Sequence, residues 1–255
     1  MLKKSSVFPP SFFCFLLLFT ALSSAFSILT HHPADVNMGL ASDADTTPFT
    51  VILDAGHGGE DGGAVSASGI LEKDLNLEIA FLLRDLLEAN GIRVIMTRST
   101  DILLYDRNEN YHGRKKALDL AARRKIAEET PNAIFVSIHM NAYPQTQYRG
   151  LQVWYSPNHR DSKTLADHIQ KTVQELLQPQ NGRQPKGATS GIYLLHRLQC
   201  PAVLVECGFL SNPDEAALLN DRVYRERLAG ALFLAIAESL PVESVGTSSF
   251  SNKST

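Results

Sequence analysis

Four short segments hold the residue types from which a hydrolytic metal site is built. LDAGHGGEDGGA carries His57, LEKDLNL carries Glu72, SIHMNA carries His139 and VECGFLSN carries Glu206. Two imidazoles and a carboxylate are a usual ligand set for catalytic zinc, which takes three protein ligands and keeps a fourth position for water. A second carboxylate beside such a metal handles protons. Gly56, Gly58 and Gly59 let the chain turn sharply around His57 and leave room above a metal. Singly, each segment has a plainer reading. A histidine after a strand is more often a hydrogen-bonded structural residue. An acid at a helix start complements the helix dipole. GHGG could be a phosphate-binding turn, although it lacks the Lys-Ser/Thr of a P-loop. The joint placement of the four is what raises the metal reading.

That placement follows from the order of the elements. FTVILDAG reads as a buried strand entering the glycine turn. Leu75, Ile79, Leu82, Leu83, Leu86 and Leu87 then mark one face of a helix, closed by Asn90-Gly91. IRVIMTR is a second strand, Arg114 to Glu129 a charged helix, AIFVSIH a third strand and GLQVWYS a fourth. Leu165, Ile169, Val173 and Leu176 mark another helix; GIYLLH and AVLVECGFL read as two further strands. Ser211-Asn212-Pro213-Asp214-Glu215 is a helix cap with proline at the first helical position, and a last helix spans about Asp221 to Leu240. Strands alternating with helices give an α/β fold, one αβα domain with a mainly parallel twisted sheet and helices on both faces. His57, His139 and Glu206 each stand at the carboxyl end of a strand, where an open parallel sheet forms its ligand crevice, and Glu72 is close enough to fold back to that edge.

DAGHGG…EKDLNL…SIHMNA…VECGFLSN, in this order, resembles the type 3 zinc amidases of the N-acetylmuramoyl-L-alanine amidase family, over about residues 50–240. The resemblance implies that His57, Glu72 and His139 bind Zn2+ and that Glu206 is catalytic. It implies hydrolysis of the amide between N-acetylmuramic acid and L-alanine in peptidoglycan. Arg123, in LAARRKIA, takes the family's usual arginine position, either beside an acid near the site or as a solvated helix charge. Asn141 matches the family's Asn two residues past the histidine and would bind substrate or fix the loop. Asp54 or Asp61 would orient a ligand histidine through its second ring nitrogen. The family often has VLR where this chain has YLLH, at Tyr193 to His196. That departure, the apolar start and the insertion-like stretch Arg114–Arg124 are similar to the spore-cortex subgroup. His196 either touches substrate or is a surface residue. Two competing functions remain: a zinc peptidase acting on the stem peptide, and a non-catalytic peptidoglycan-binding module.

The ends of the chain have a different character. Lys3 and Lys4 precede an apolar run from Phe12 to Leu29, with Ser23 and Ala25 placed for cleavage. Residues 1–29 therefore read as a secretory signal or an uncleaved membrane anchor, and the protein as exported, with membrane contact only through this segment. Residues 30–48 read as a linker in which His31-His32 is a solvated pair, residues 49–241 as the catalytic domain and residues 242–255 as a disordered tail. A net charge of −3 with only short basic clusters gives no nucleic-acid footprint. Cys200 and Cys207 flank a strand; seven extended residues span about 23 Å, while a disulfide needs Cα atoms within about 7 Å. Both are expected to be free thiols.

Overall fold

Strand β1, Thr50–Ala55, is buried at every residue, and the sheet grows outward from it. The computed structural model describes residues 49–106, 108 and 113–240. The expected leader (1–29), linker (30–48) and tail (242–255) lie outside the described residues. After β1 come α1 (Glu72–Ala89), β2 (Arg93–Met96), α2 (Lys115–Glu128), β3 (Ala133–Asn141) and β4 (Gln152–Tyr155). Then follow α3 (Asp161–Leu176), β5 (Lys186–Gly187), α4 (Tyr193–Arg197), β6 (Ala202–Phe209), α5 (Pro213–Asn220) and α6 (Arg222–Ser239). Among the described residues six strands form one sheet in the order β2-β1-β3-β6-β4-β5. β4 runs antiparallel to β6, and the other pairings in that sheet are parallel.

Alternation along the strands builds two cores. Val51, Leu53, Val136, Ile138, Val203 and Val205 face α1, α3 and α6. From α1 this core takes Leu75, Ile79, Leu83 and Leu87, the i, i+4, i+8, i+12 stripe expected of an amphipathic helix. Ile52, Phe135 and Ala202 point the other way, against Ala127 of α2 and Leu194 and Leu195 of α4. Asn212 caps α5 by accepting from the N–H groups of Asp214 and Glu215, with Pro213 at the first helical position, as the sequence indicates.

GIYLLH is not a strand. Tyr193–Arg197 is the short helix α4, whose Leu194 and Leu195 are buried in the second core. A short apolar run carries no periodicity that separates a buried strand from a buried helical turn. The edge strand beyond β4 is instead the two-residue β5, paired at Trp154↔Lys186 and Tyr155↔Gly187. Cys200 and Cys207 are both free, as expected, with Cys207 buried inside β6.

Candidate metal centre

Parallel pairing of β1, β3 and β6 brings their carboxyl ends to one edge. His57 stands two residues beyond β1. His139 and Glu206 are register partners on neighbouring strands. Glu72 is the first residue of α1, and a glycine-rich turn folds it back to the same edge. Its Oε1 lies 2.9 Å from His139 Nδ1 and 3.2 Å from His57 Nε2. The Met140 N–H donates to the same oxygen at 3.0 Å, and the Ala64 N–H donates to Oε2 at 2.7 Å. One ligand atom from each of His57, Glu72 and His139 lies within 4.8 Å of the others.

The chemistry of this donor set fits a divalent cation. Burial disfavours the charge on Glu72, yet hydrogen bonds from His139 and His57 outweigh it and hold the carboxyl well below its usual range. Burial likewise disfavours a protonated His57, but Glu72 and Asp61 reverse this and raise its pKa. Zinc ligation needs an ionised carboxylate, which the surroundings of Glu72 secure, and a neutral His57, so a bound cation would displace the proton that Glu72 and Asp61 favour there. The surroundings leave no slack. A Cβ at Gly56 would overlap the His139 ring, and one at Gly63 would meet Glu72 Oε2 and the His57 ring. His57 itself has φ 61°, a left-handed conformation that a side-chain-bearing residue adopts only under constraint.

Two buried arginines supply that constraint. Arg123, 1% exposed, donates to His57 O at 2.7 Å and to Ala55 O at 2.8 Å. It also pairs with Asp54 at 2.6 Å and Asp119 at 2.8 Å. It is therefore not a solvated helix charge. Arg98 donates to Ala55 O, Gly56 O and Lys73 O at 2.8, 3.0 and 2.8 Å, tying the glycine turn to the start of α1. Of the two candidate orienting acids, Asp61 touches His57: its Oδ1 is 3.0 Å from Nδ1, although off the line of a well-formed hydrogen bond. Asp54 instead accepts from Ser137, Thr97 and Arg123.

Glu206 differs from the other acids at this edge. Its Oε2 is buried and has no hydrogen-bond partner among the described residues. Burial, with the Glu72 charge adding to it and the two histidines opposing, pushes its carboxyl up to about 7. Arg123 pairs with Asp54 and Asp119 instead of Glu206. The cavity around these groups encloses about 250 Å³ and is lined by His57, His139, Glu206, Lys116, Leu120 and Ile192 among others. Its floor is thus polar and ionisable, with aliphatic side chains beside it. His196 is exposed and lies outside that lining. Asn141 is half-buried. Its main-chain oxygen accepts the Leu210 N–H at 2.8 Å, where the β3–β6 register shifts.

Residues 51–238 match the model of the N-acetylmuramoyl-L-alanine amidase family Amidase_3. The chain belongs to this amidase family. It is 38% identical over 186 residues to the germination-specific N-acetylmuramoyl-L-alanine amidase of Bacillus subtilis, covering 73% of this chain and 77% of that one. It is 30% identical to the amidase LytC of the same organism, of whose length it covers 34%. Among solved structures it resembles the CwlD amidase of Clostridioides difficile, determined in complex with the GerS lipoprotein. The TM-score there is 0.71 at 41% identity, covering 75% of this chain and 98% of that chain. Membership makes the chain an N-acetylmuramoyl-L-alanine amidase, an enzyme acting on peptidoglycan.

Within this amidase, three polar residues that the motifs do not single out are part of the site's frame. They are Arg98, Asp119 and Asn76; Asn76 Nδ2 donates to Gly56 O at 3.1 Å. A signal for Asn76 existed: a polar residue one turn after Glu72 on the apolar face of α1. Arg98 ends the strand segment IRVIMTR and Asp119 sits in the charged stretch Arg114 to Glu129, and neither position advertises a buried partner.

Proposed function

We propose that this amidase is zinc-dependent, with His57, Glu72 and His139 as the metal ligands and Glu206 as the general base and acid. The observation that carries the reading is the unpartnered Glu206 Oε2 beside the three converging donors. A buried carboxylate without a partner costs stability unless something uses it. Bound zinc would supply polarisation of the scissile carbonyl and acidify water at its open position. Glu206 then takes a proton from the attacking water and passes it to the alanine nitrogen as the C–N bond breaks. Asp61 orients His57, and Arg123 and Arg98 hold the main chain of the turn, so that the ligands are preorganised. Asn141 binds substrate or fixes the loop after β3.

The substrate layer and the outer segments belong to the same proposal. Similarity to a germination-specific amidase supports the spore cortex as the peptidoglycan attacked. Residues 1–29 export or anchor the protein, residues 30–48 link it to the catalytic domain at 49–241, and residues 242–255 form a tail. Among the described residues no helix is long and apolar enough to cross a membrane. Mass spectrometry of purified peptidoglycan incubated with the zinc-loaded protein tests the activity. Intact glycan and stem peptides with a new N-terminal L-alanine are expected. Trimmed stem peptides still attached to muramic acid would point to a peptidase instead.

A further inference from the structure

The loop from residue 142 to 150 leaves β3 at the edge that carries the site. Tyr143 follows His139 by four residues, within about 13 Å along an extended chain. Tyr143 and Tyr148 are 50% and 41% exposed. They pack edge to face, with centroids 4.9 Å apart and planes at 88°. Tyr148 also lies 6.3 Å from the Phe209 ring, which the Arg183 guanidinium covers at 4.7 Å. The loop beneath them is pinned. Ser211 Oγ accepts the Tyr143 N–H at 3.0 Å, and Asn212 Nδ2 donates to Tyr148 O at 3.3 Å. Glu215 accepts the Gly150 N–H at 2.8 Å, and Arg183 Nε donates to Arg149 O at 2.8 Å. Neither tyrosine belongs to either core, so the fold does not account for two large rings held half in water on a fixed loop.

We infer that the Tyr143–Tyr148 shelf is a subsite for sugar rings of the glycan strand, adjoining the reactive cavity. The inference rests on the amidase reading, under which the scissile amide hangs from a saccharide polymer. A cavity of about 250 Å³ is smaller than the roughly 300–1,000 Å³ that pockets for drug-sized ligands occupy, so a polymer must continue onto the neighbouring surface. Pyranose rings present flat C–H faces that pack on aromatic faces, and their hydroxyl and acetamido groups take hydrogen bonds from a polar rim. The rim is balanced in charge: Asp214 lies 3.5 Å from Arg149, and Glu215 feels both Arg149 and Arg183. Balanced charge around aromatic rings suits a neutral saccharide better than the carboxylate-bearing stem peptide.

The test uses the full chain carrying Glu206→Gln, so that turnover does not consume the ligand, and neutral oligomers of N-acetylglucosamine as the glycan. Adding Tyr143→Ala or Tyr148→Ala should weaken glycan binding about tenfold per ring removed. Tyr143→Phe and Tyr148→Phe should restore most of it, since the ring face and not the hydroxyl makes the contact. Tyr148→Gln replaces the Ala variant if that one melts early. Glycan binding at the parent level in the ring-deleted variants overturns the inference. So does a loss confined to free stem peptide, or a change of oligomeric state with glycan binding intact. Peptidoglycan cleavage by the chain with Glu206 intact, together with normal glycan binding in the ring-deleted Glu206→Gln variants, removes the shelf alone. Ring-dependent glycan binding, together with no cleavage by the zinc-loaded chain with Glu206 intact, removes the amidase reading alone.

Discussion

Gly56 shows how closely single residues set this site. The ring of His139 occupies the space where a side chain at Gly56 would begin, so Gly56→Ala must push His139 off its line to Glu72. Zinc affinity should fall about 10–100-fold, the range typical when a ligand loses its support. A chelator-competition titration reads this directly, and unchanged affinity would show that the ring has room to move. Arg123 is a second such point. Its removal strands the carboxylates of Asp54 and Asp119, 1% and 4% exposed. Arg123→Met should therefore cost about 3–5 kcal/mol in a denaturant titration, because breaking a buried pair leaves uncompensated charge. Arg123→Lys keeps the charge but lacks the planar fork that reaches Asp54, Asp119 and His57 O together, so it should recover only part of that loss. Recovery to the parent value would reduce the role of Arg123 to charge alone.

At the scale of elements, most of the architecture was legible because strand burial and helix periodicity are strong here. α1 announces itself through a regular apolar stripe, and the Asn212-Pro213 cap marks the start of α5. The convergence of His57, Glu72 and His139 at one sheet edge was legible because each sits in a short motif at a strand end or a helix start. Two things were hidden. The segment Tyr193–Arg197 reads as a strand because so short a run carries no period, and its helical state is decided by packing Leu194 and Leu195 under the sheet. Arg98, Asp119 and Arg123 were hidden as a network because, apart from the one-turn pair Asp119–Arg123, the contacts that tie them to the site span 15–69 residues, and burial of charge leaves no trace in local composition. Placing β6 in the core has a chemical consequence. Burial pushes the Cys200 thiol up to about 11 and the Cys207 thiol higher still. In the folded protein neither should react readily with a thiol reagent at neutral pH, and both should react on unfolding. A bridge on peptide mapping would contradict the extended path of β6.

Across the whole molecule, the buried network ties stability to pH, and the proposed metal centre ties it to zinc. Burial would raise the Asp54 carboxyl, but Arg123, Ser137 and Thr97 overcome this and hold it below its ordinary 3.8. A depressed folded pKa stabilises fully above the unfolded value and is lost as pH falls through the folded one. Melting temperature should thus drop as pH is lowered below about 3.8, and Asp54→Asn should flatten that part of the profile. On the proposed reading zinc binds the folded form alone, so added zinc should raise the melting temperature in proportion to its affinity, and His139→Ala should lose that rise. The central claim joins the metal centre to proton transfer at Glu206, and one preparation of Glu206→Gln decides it. Zinc content, melting temperature and peptidoglycan turnover are measured together. The account predicts full zinc occupancy, an unlowered melting temperature and a rate reduced about 10²–10⁴-fold. Near-normal turnover by the zinc-loaded variant would contradict it.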